Sequence, residues 1–186
     1  MSAHAHIEGS NKRIAIMIAA LAALLALSES AGKSAQTAAL GHHIEASNLW
    51  AFFQAKTIRQ TTLRTAAETL EADAAEGLSA AKADAFKKRI DAWRATAQRY
   101  ESEPETNEGR RELMARARNT ESLRDKALAA YHQFEFGSAA FQIGIVLASA
   151  SVITGAIWLA LSAGVLGVIG MAFTALGLFA PTLIHL

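Results

Sequence analysis

Apolar and polar positions divide the chain into three runs. Ile14–Leu27 is apolar, charge and alanine dominate from Ser34 to Glu135, and Phe136–Leu186 contains no Lys, Arg, Asp or Glu. The uncharged stretch Ala139–Ile184 amounts to about 69 Å of helix at ~1.5 Å per residue, whereas one membrane crossing takes ~20 residues. It therefore predicts two spans, 139–161 and 165–184, within a hairpin of residues 138–186. Their turn is expected at Ser162-Ala163-Gly164, after Trp158, whose amphipathic ring suits a membrane interface. Pro181 then falls in the last helical turn, where it costs little.

The first apolar run is short. Lys12-Arg13 precede 14 apolar residues, so a crossing here must continue through Ser28-Glu29-Ser30-Ala31-Gly32 to Lys33. The competing reading is a cleaved signal peptide, with a basic n-region, an apolar h-region and small residues near Ser28 and Ser30. We take the run as a span over 14–33, preceded by an N-terminal tail, 1–13. Lys12 and Arg13 against Lys33 place the N-terminus in the cytoplasm and the charged segment outside it.

The charged segment, 34–137, is rich in alanine, glutamate, arginine and lysine, all good helix formers. Breaks are expected at Glu76-Gly77-Leu78-Ser79, where Ser79 can cap a new helix, and near 103–108, at Glu103-Pro104-Glu105-Thr106-Asn107. Three helical stretches result, about 34–75, 79–102 and 108–137. In the second, Phe86, Ile90, Trp93, Ala97 and Tyr100 form one apolar stripe. In the third, Leu113, Thr120, Leu123, Ala127, Ala130 and Phe134 hold a coiled-coil-like heptad register, with Arg116 as the exception, and the register runs on through Gly137 to Phe141. The third stretch is therefore expected to pass into the second span without a break. Because the chain leaves and re-enters the membrane on one side, the simplest path is one long outward helix and a return folded around Pro104. The expected fold is an all-α integral membrane protein: three transmembrane helices and a long extramembrane helical stalk continuous with them.

Composition sharpens this picture. The chain is 52% hydrophobic with a net charge of +1, and all its Lys, Arg, Asp and Glu except Glu8, Lys12, Arg13, Glu29 and Lys33 lie between Ser34 and Glu135. A soluble domain does not segregate charge in this way. The apolar content excludes a disordered chain and the absence of cysteine a disulfide scaffold. Near-neutral charge gives no reason to expect a nucleic-acid partner.

Two short sequences are distinctive: Ala26-Leu27-Ser28-Glu29 at the end of the first span, and Asn48-Leu49-Trp50-Ala51-Phe52-Phe53-Gln54-Ala55-Lys56 in the first soluble helix. With the length and layout, they resemble an uncharacterised family of small three-span bacterial membrane proteins known only as a domain of unknown function. The resemblance implies a bacterial origin and this layout. It implies no reaction, ligand or cofactor.

Few residues suggest chemistry. Glu29 near a membrane boundary reads either as a proton- or ion-binding carboxylate facing a bundle interior or as an interfacial i,i+4 pair with Lys33. Trp50, Phe53 and Thr57 share one helix face, and Asn48, Phe52, Ala55 and Arg59 a neighbouring one. This pattern suits burial or docking, with Asn48 and Gln54 as interhelical hydrogen-bond partners. Small residues at four-residue spacing mark helix contacts: Ala22, Ala26 and Ser30; Ala140, Gly144 and Ala148; Ala163 and Gly167; Gly170 and Thr174.

Other motifs fail. Gly32-Lys33-Ser34 lacks the first glycine of a phosphate-binding loop, with Leu27 in its place. His4, His6, His42, His43, His132 and His185 show no convincing ligand spacing. No catalytic, metal or cofactor-binding residue is expected. The expected function is a membrane-anchored scaffold or accessory protein without catalysis, embedded in membrane lipid, self-associating or accompanying another membrane protein. The alternative is a homo-oligomeric channel or transport component with Glu29 near the pore. A third reading, an envelope stress sensor, has no feature of its own beyond the stalk.

Overall fold

A computed structural model describes the backbone of residues 2–74 and 79–184, and the side chains of residues 12–74 and 79–184. The described residues form four helices and no strand: α1 (Ser2–Ala74), α2 (Ala80–Glu101), α3 (Arg110–Thr154) and α4 (Ile157–Phe179). α1 from Lys12, α3 and α4 are each long and apolar enough to cross a membrane. In α1 and α3, apolar and charged runs belong to one unbroken helix, as the scarcity of glycine and proline predicts. The expected break at Glu76-Gly77-Leu78 lies outside the described residues. Ser79 does occupy the N-cap of α2, in extended conformation, but its hydroxyl makes no capping bond.

The turn between α3 and α4 is at Gly155-Ala156, not at Ser162-Ala163-Gly164. Gly155 adopts φ +70°, a left-handed conformation that disfavours a Cβ, and so it ends α3. Ala163, expected in the turn, is instead fully buried inside α4. The spans expected at 139–161 and 165–184 thus correspond to helices ending at Thr154 and covering Ile157–Phe179. Pro181 lies beyond α4, not in its last turn, because proline excludes helical conformation from the residue before it. Gly155→Ala should cost ~1 kcal/mol. No atom lies within 4 Å of the added Cβ, so the loss is purely conformational. Detergent-titration unfolding, compared with the unchanged chain, checks it.

Two compact units divide the chain, Met1–Gly41 with Leu123–Leu186, and His42–Ser122. In the first, α1, α3 and α4 pack through small residues. Gly167 faces Leu21, Gly170 faces the Phe141 ring, and Gly177 faces Phe134. Ile14, Ala148, Ala160 and Ala163 close the core at one end. The expected contacts Ala140, Gly144, Ala148, Ala163, Gly167 and Gly170 are all buried. Ala22, Ala26 and Ser30 are exposed. The packed face of α1 is Ile14, Leu21, Ser28 and Gly32, because a helix of mostly alanine and leucine shows no preferred side until its neighbours choose one.

In the second unit, α2 and the start of α3 both run antiparallel to α1. Arg94 reaches Glu71, Gln60 reaches Ala97, Arg110 reaches Thr57, and Trp50 reaches Glu121. This is the expected return path folded around Pro104. Leu49, Leu113 and Ala117 form its core, with Trp50 and Phe53 against them.

Burial repeats at spacings of three, four and seven in every helix, the pattern of side chains that meet along a seam. On α1 it reads Ile14, Leu21, Ser28, Gly32, Ala39, Ala46, Leu49, Lys56, Gln60 and Ala67. The α2 stripe is as expected: Ile90 and Ala97 are buried, and Phe86, Trp93 and Tyr100 half-buried. On α3 the expected set Leu113, Thr120, Ala127, Phe134 and Phe141 is packed, but its companion is displaced by one residue. Ala117 is fully buried whereas Arg116 and Leu123 are exposed. Arg116 is therefore no exception in the seam; it lies outside it and donates to the Asn107 carbonyl at 3.3 Å.

Candidate functional site

Two polar constellations stand out, one in each unit. The first is the joint where α2 ends and α3 begins. Pro104 lies within the connection, which begins at Ser102, and Asn107 takes φ +56°, a conformation asparagine tolerates better than most residues. Glu112, in the first turn of α3, accepts the Ser102 hydroxyl at 2.6 Å and the Glu103 amide at 3.2 Å. The carboxylate also lies at the positive end of the helix. Its pKa is lowered, foremost by the Ser102 hydroxyl, with its own and the Glu103 amides and Arg111 adding to this against the effect of burial.

Against this joint α1 presents Lys56 and Gln60, both buried. The Gln60 amide donates to the Ala97 carbonyl and to Glu101, each at 3.0 Å, while its oxygen accepts Arg110 at 2.6 Å. Arg110 also donates to Glu101 at 2.7 Å and to Thr57 at 2.9 Å, and its guanidinium lies 5.0 Å from the Phe53 ring centre. Lys56 pairs with Glu103 at 3.5 Å, between the rings of Phe52 and Tyr100. Glu101 is held below the usual carboxylate range, foremost by Gln60, then by the charge of Arg110 and by Arg111, against burial. At this joint the two buried polar side chains, Lys56 and Gln60, thus both have partners on another element, the condition under which such a network adds rigidity.

The Asn48–Lys56 sequence is only partly engaged. Trp50 donates to Glu121 at 2.9 Å and meets Phe53 edge-on at 5.5 Å. Phe52 is at the rim, 36% exposed. Asn48 and Gln54, expected as interhelical partners, are exposed. Gln60 and Lys56 have that role instead, because they continue the three-, four- and seven-residue spacing from Leu49 and Ala46 and the other two do not.

The second constellation surrounds Ser28 and Glu29. Ser28 is fully buried and donates to the Phe134 carbonyl at 3.1 Å, which ties α1 to α3. Thr174 on α4 lies 3.3 Å from the same oxygen, while its hydroxyl donates to the Gly170 carbonyl of its own helix at 2.8 Å. Glu29 beside it is exposed and accepts Gln142 from α3 at 3.1 Å. The expected Glu29–Lys33 ion pair is not formed: both residues line a groove between α1 and α3, with Gln36, Tyr131, Glu135 and Gln142. Glu135 in turn faces Tyr131 at 3.4 Å and His132 at 3.7 Å. Within one chain, Glu29 therefore faces an outer groove and not the interior of the three helices.

Among the described residues, no group of three or more His, Asp or Glu comes together as a metal site. His42 lies 4.0 Å from Glu45. The side chains of His4, His6 and His185 are outside the described residues.

A family model described as "Domain of unknown function (DUF4337)" covers residues 10–180. No curated protein and no solved structure matches.

Proposed function

The chain belongs to this family of unknown function, and we propose that it is a membrane-anchored helical scaffold that self-associates through its charged segment, without catalysis. One observation carries the reading. On the outward side of α1, Ile44, Ala51 and Ile58 recur every seven residues, with Ser47 and Gln54 between them, and all five are exposed. Ile44 is 60% and Ile58 67% exposed, in a segment otherwise rich in charge. Apolar residues at heptad spacing suit a coiled-coil partner. The small Ser47 lets that partner approach closely, and the one amide in the row, Gln54, suits a device that fixes register. The buried polar side chains Lys56, Gln60 and Ser28 are engaged between helices, which also supports a structural role over a chemical one.

The layout fits a bacterial inner-membrane protein with a cytoplasmic N-terminus and a periplasmic charged segment. The channel alternative has less support, because Glu29 lies in an outer groove and small apolar residues make up most of the packed face of α4.

The chain has no cysteine, so single substitutions report association directly. Ala51→Cys should give a disulfide-linked dimer under mild oxidation in native membranes, and Arg118→Cys, exposed on α3, should not. A monomeric Ala51→Cys chain, or equal cross-linking of both, removes the proposal. A ring assembly with Glu29 on a continuous central path favours the channel.

A further inference from the structure

The membrane part of α1 keeps small residues on its outside. Between Ala15 and Leu27, every exposed residue other than Ile16 and Leu27 is alanine. α3 and α4 mainly present large side chains, among them Ile143, Val146, Leu161 and Val165. In lipid, helices associate by packing, and small residues mark the sides where two backbones approach.

These alanines are in step with the row of Ile44 and Ala51 further along the same unbroken helix. Seven-residue steps back from Ile44 reach Thr37, Ser30 and Ala23, and from Ser47 they reach Leu40, Lys33, Ala26 and Ala19. All of these are exposed. From Ala19 to Ile58 the row holds one charge, Lys33.

Copies inserted in one bilayer share an orientation, so they pair in parallel. A two-fold axis along the membrane normal then sets each residue of the row against its own counterpart. Alanine, serine and isoleucine tolerate this; lysine does not. Glu29 stands four residues before Lys33, ~6 Å of helix. Within the chain these two make no ion pair, and Glu29 accepts Gln142 instead. Across the axis, each ammonium can turn back to the carboxylate of the other copy. Near the membrane boundary a charge gains most from such a partner.

We propose that two copies pair along this side of α1 inside the membrane as well as beyond it, parallel and in register, with Lys33 of each facing Glu29 of the other. The proposal rests on the self-association argued above and adds to it a membrane half and a reciprocal ion pair. The chain has no cysteine, so full-length single variants in native membranes test it under oxidation with copper phenanthroline. Ala26→Cys should give a disulfide-linked dimer as Ala51→Cys does, and Val165→Cys, exposed on α4, should not. A link at Ala51 without one at Ala26 overturns the membrane half and leaves self-association standing. Links at neither position remove both. Equal linking at Val165 reduces the result at Ala26 to random collision and overturns the proposal.

The ion pair is tested with two chains of different tag length, each carrying Ala26→Cys and produced together. One also carries Lys33→Glu and has carboxylates at both positions; the other carries Glu29→Lys and has ammonium groups at both. The mixed dimer should exceed either like dimer about tenfold, the order expected where two opposite-charge pairs replace repulsion. Mixing in random proportion overturns the ion pair. The comparison of Ala26 with Val165 on unaltered charges decides the membrane half even where a charge variant fails to insert.

Discussion

Gly109→Ala should lower the unfolding free energy by ~3 kcal/mol, at the upper end of overpacking costs. A Cβ at this position would collide with the Glu103 amide nitrogen and the Glu112 carboxylate, and would lie 2.7 Å from the Ser102 Cα. Two of these three are backbone atoms, which cannot swing aside like a flexible side chain. The third belongs to the carboxylate that ties Ser102 and Glu103 to α3. Relief must come from opening the joint. Gly41 is the matched control: it is helical, with no atom within 4 Å of an added Cβ. Gly41→Ala should therefore stabilise by ~0.5–1 kcal/mol through helix propensity alone. Urea unfolding followed by circular dichroism compares the two. Equal shifts of one sign would show that the α2–α3 joint is not closed as described.

Arg110→Ala should cost about 2–3 kcal/mol. It leaves the Gln60 oxygen without its 2.6 Å donor and Glu101 without its 2.7 Å one, and uncovers the Phe53 ring. The same variant should change the acid response. Unfolded, the Glu101 carboxyl titrates near 4.5; folded, it titrates lower. Above 4.5 both states are ionised and the stabilisation is complete. As pH falls from there through the folded value, protons bind the unfolded chain first and the contribution is lost. Arg110→Ala should make this loss shallower without abolishing it, since Gln60 remains the largest cause. Urea midpoints at neutral pH and at about pH 3 measure the difference. An unchanged acid slope would mean that Arg110 contributes packing and no charge.

What could be read from the sequence depended on how a residue shows its role. The helices and the break at Pro104 were legible because alanine, glutamate, arginine and lysine favour helix and proline ends it. The joint was not. Lys56, Gln60, Glu101 and Arg110 stand among other polar residues and read as surface, while the apolar sides of Trp50 and Phe53 were visible at once. A signal for Gln60 and Ser28 did exist, in the seven-residue steps back from Ala67 and on from Leu21, but only apolar positions invite that counting. In the charge-free segment the difficulty reverses. Apart from Gln142 and His185 every position is apolar or small, so Ser162-Ala163-Gly164 resembles a turn although its alanine packs in a helix core. Glu29 was found by its isolation, but its partner was not, because Gln142 is 113 residues away.

The recurrence of buried positions on α1 makes the length of the chain, and not only its residues, part of the fold. Removing one residue between Leu49 and Lys56 would turn all that follows by ~100°. Thr61 would then stand where Gln60 reaches Ala97, and Thr57 where Lys56 reaches Glu103. Removing seven residues would return every later side chain to its own side, but it would set Ala67 where Gln60 reaches Ala97 and Leu63 where Lys56 reaches Glu103. The helix therefore keeps its faces only in steps of a heptad and its polar pairing only at its full length, and a single-residue slip undoes both.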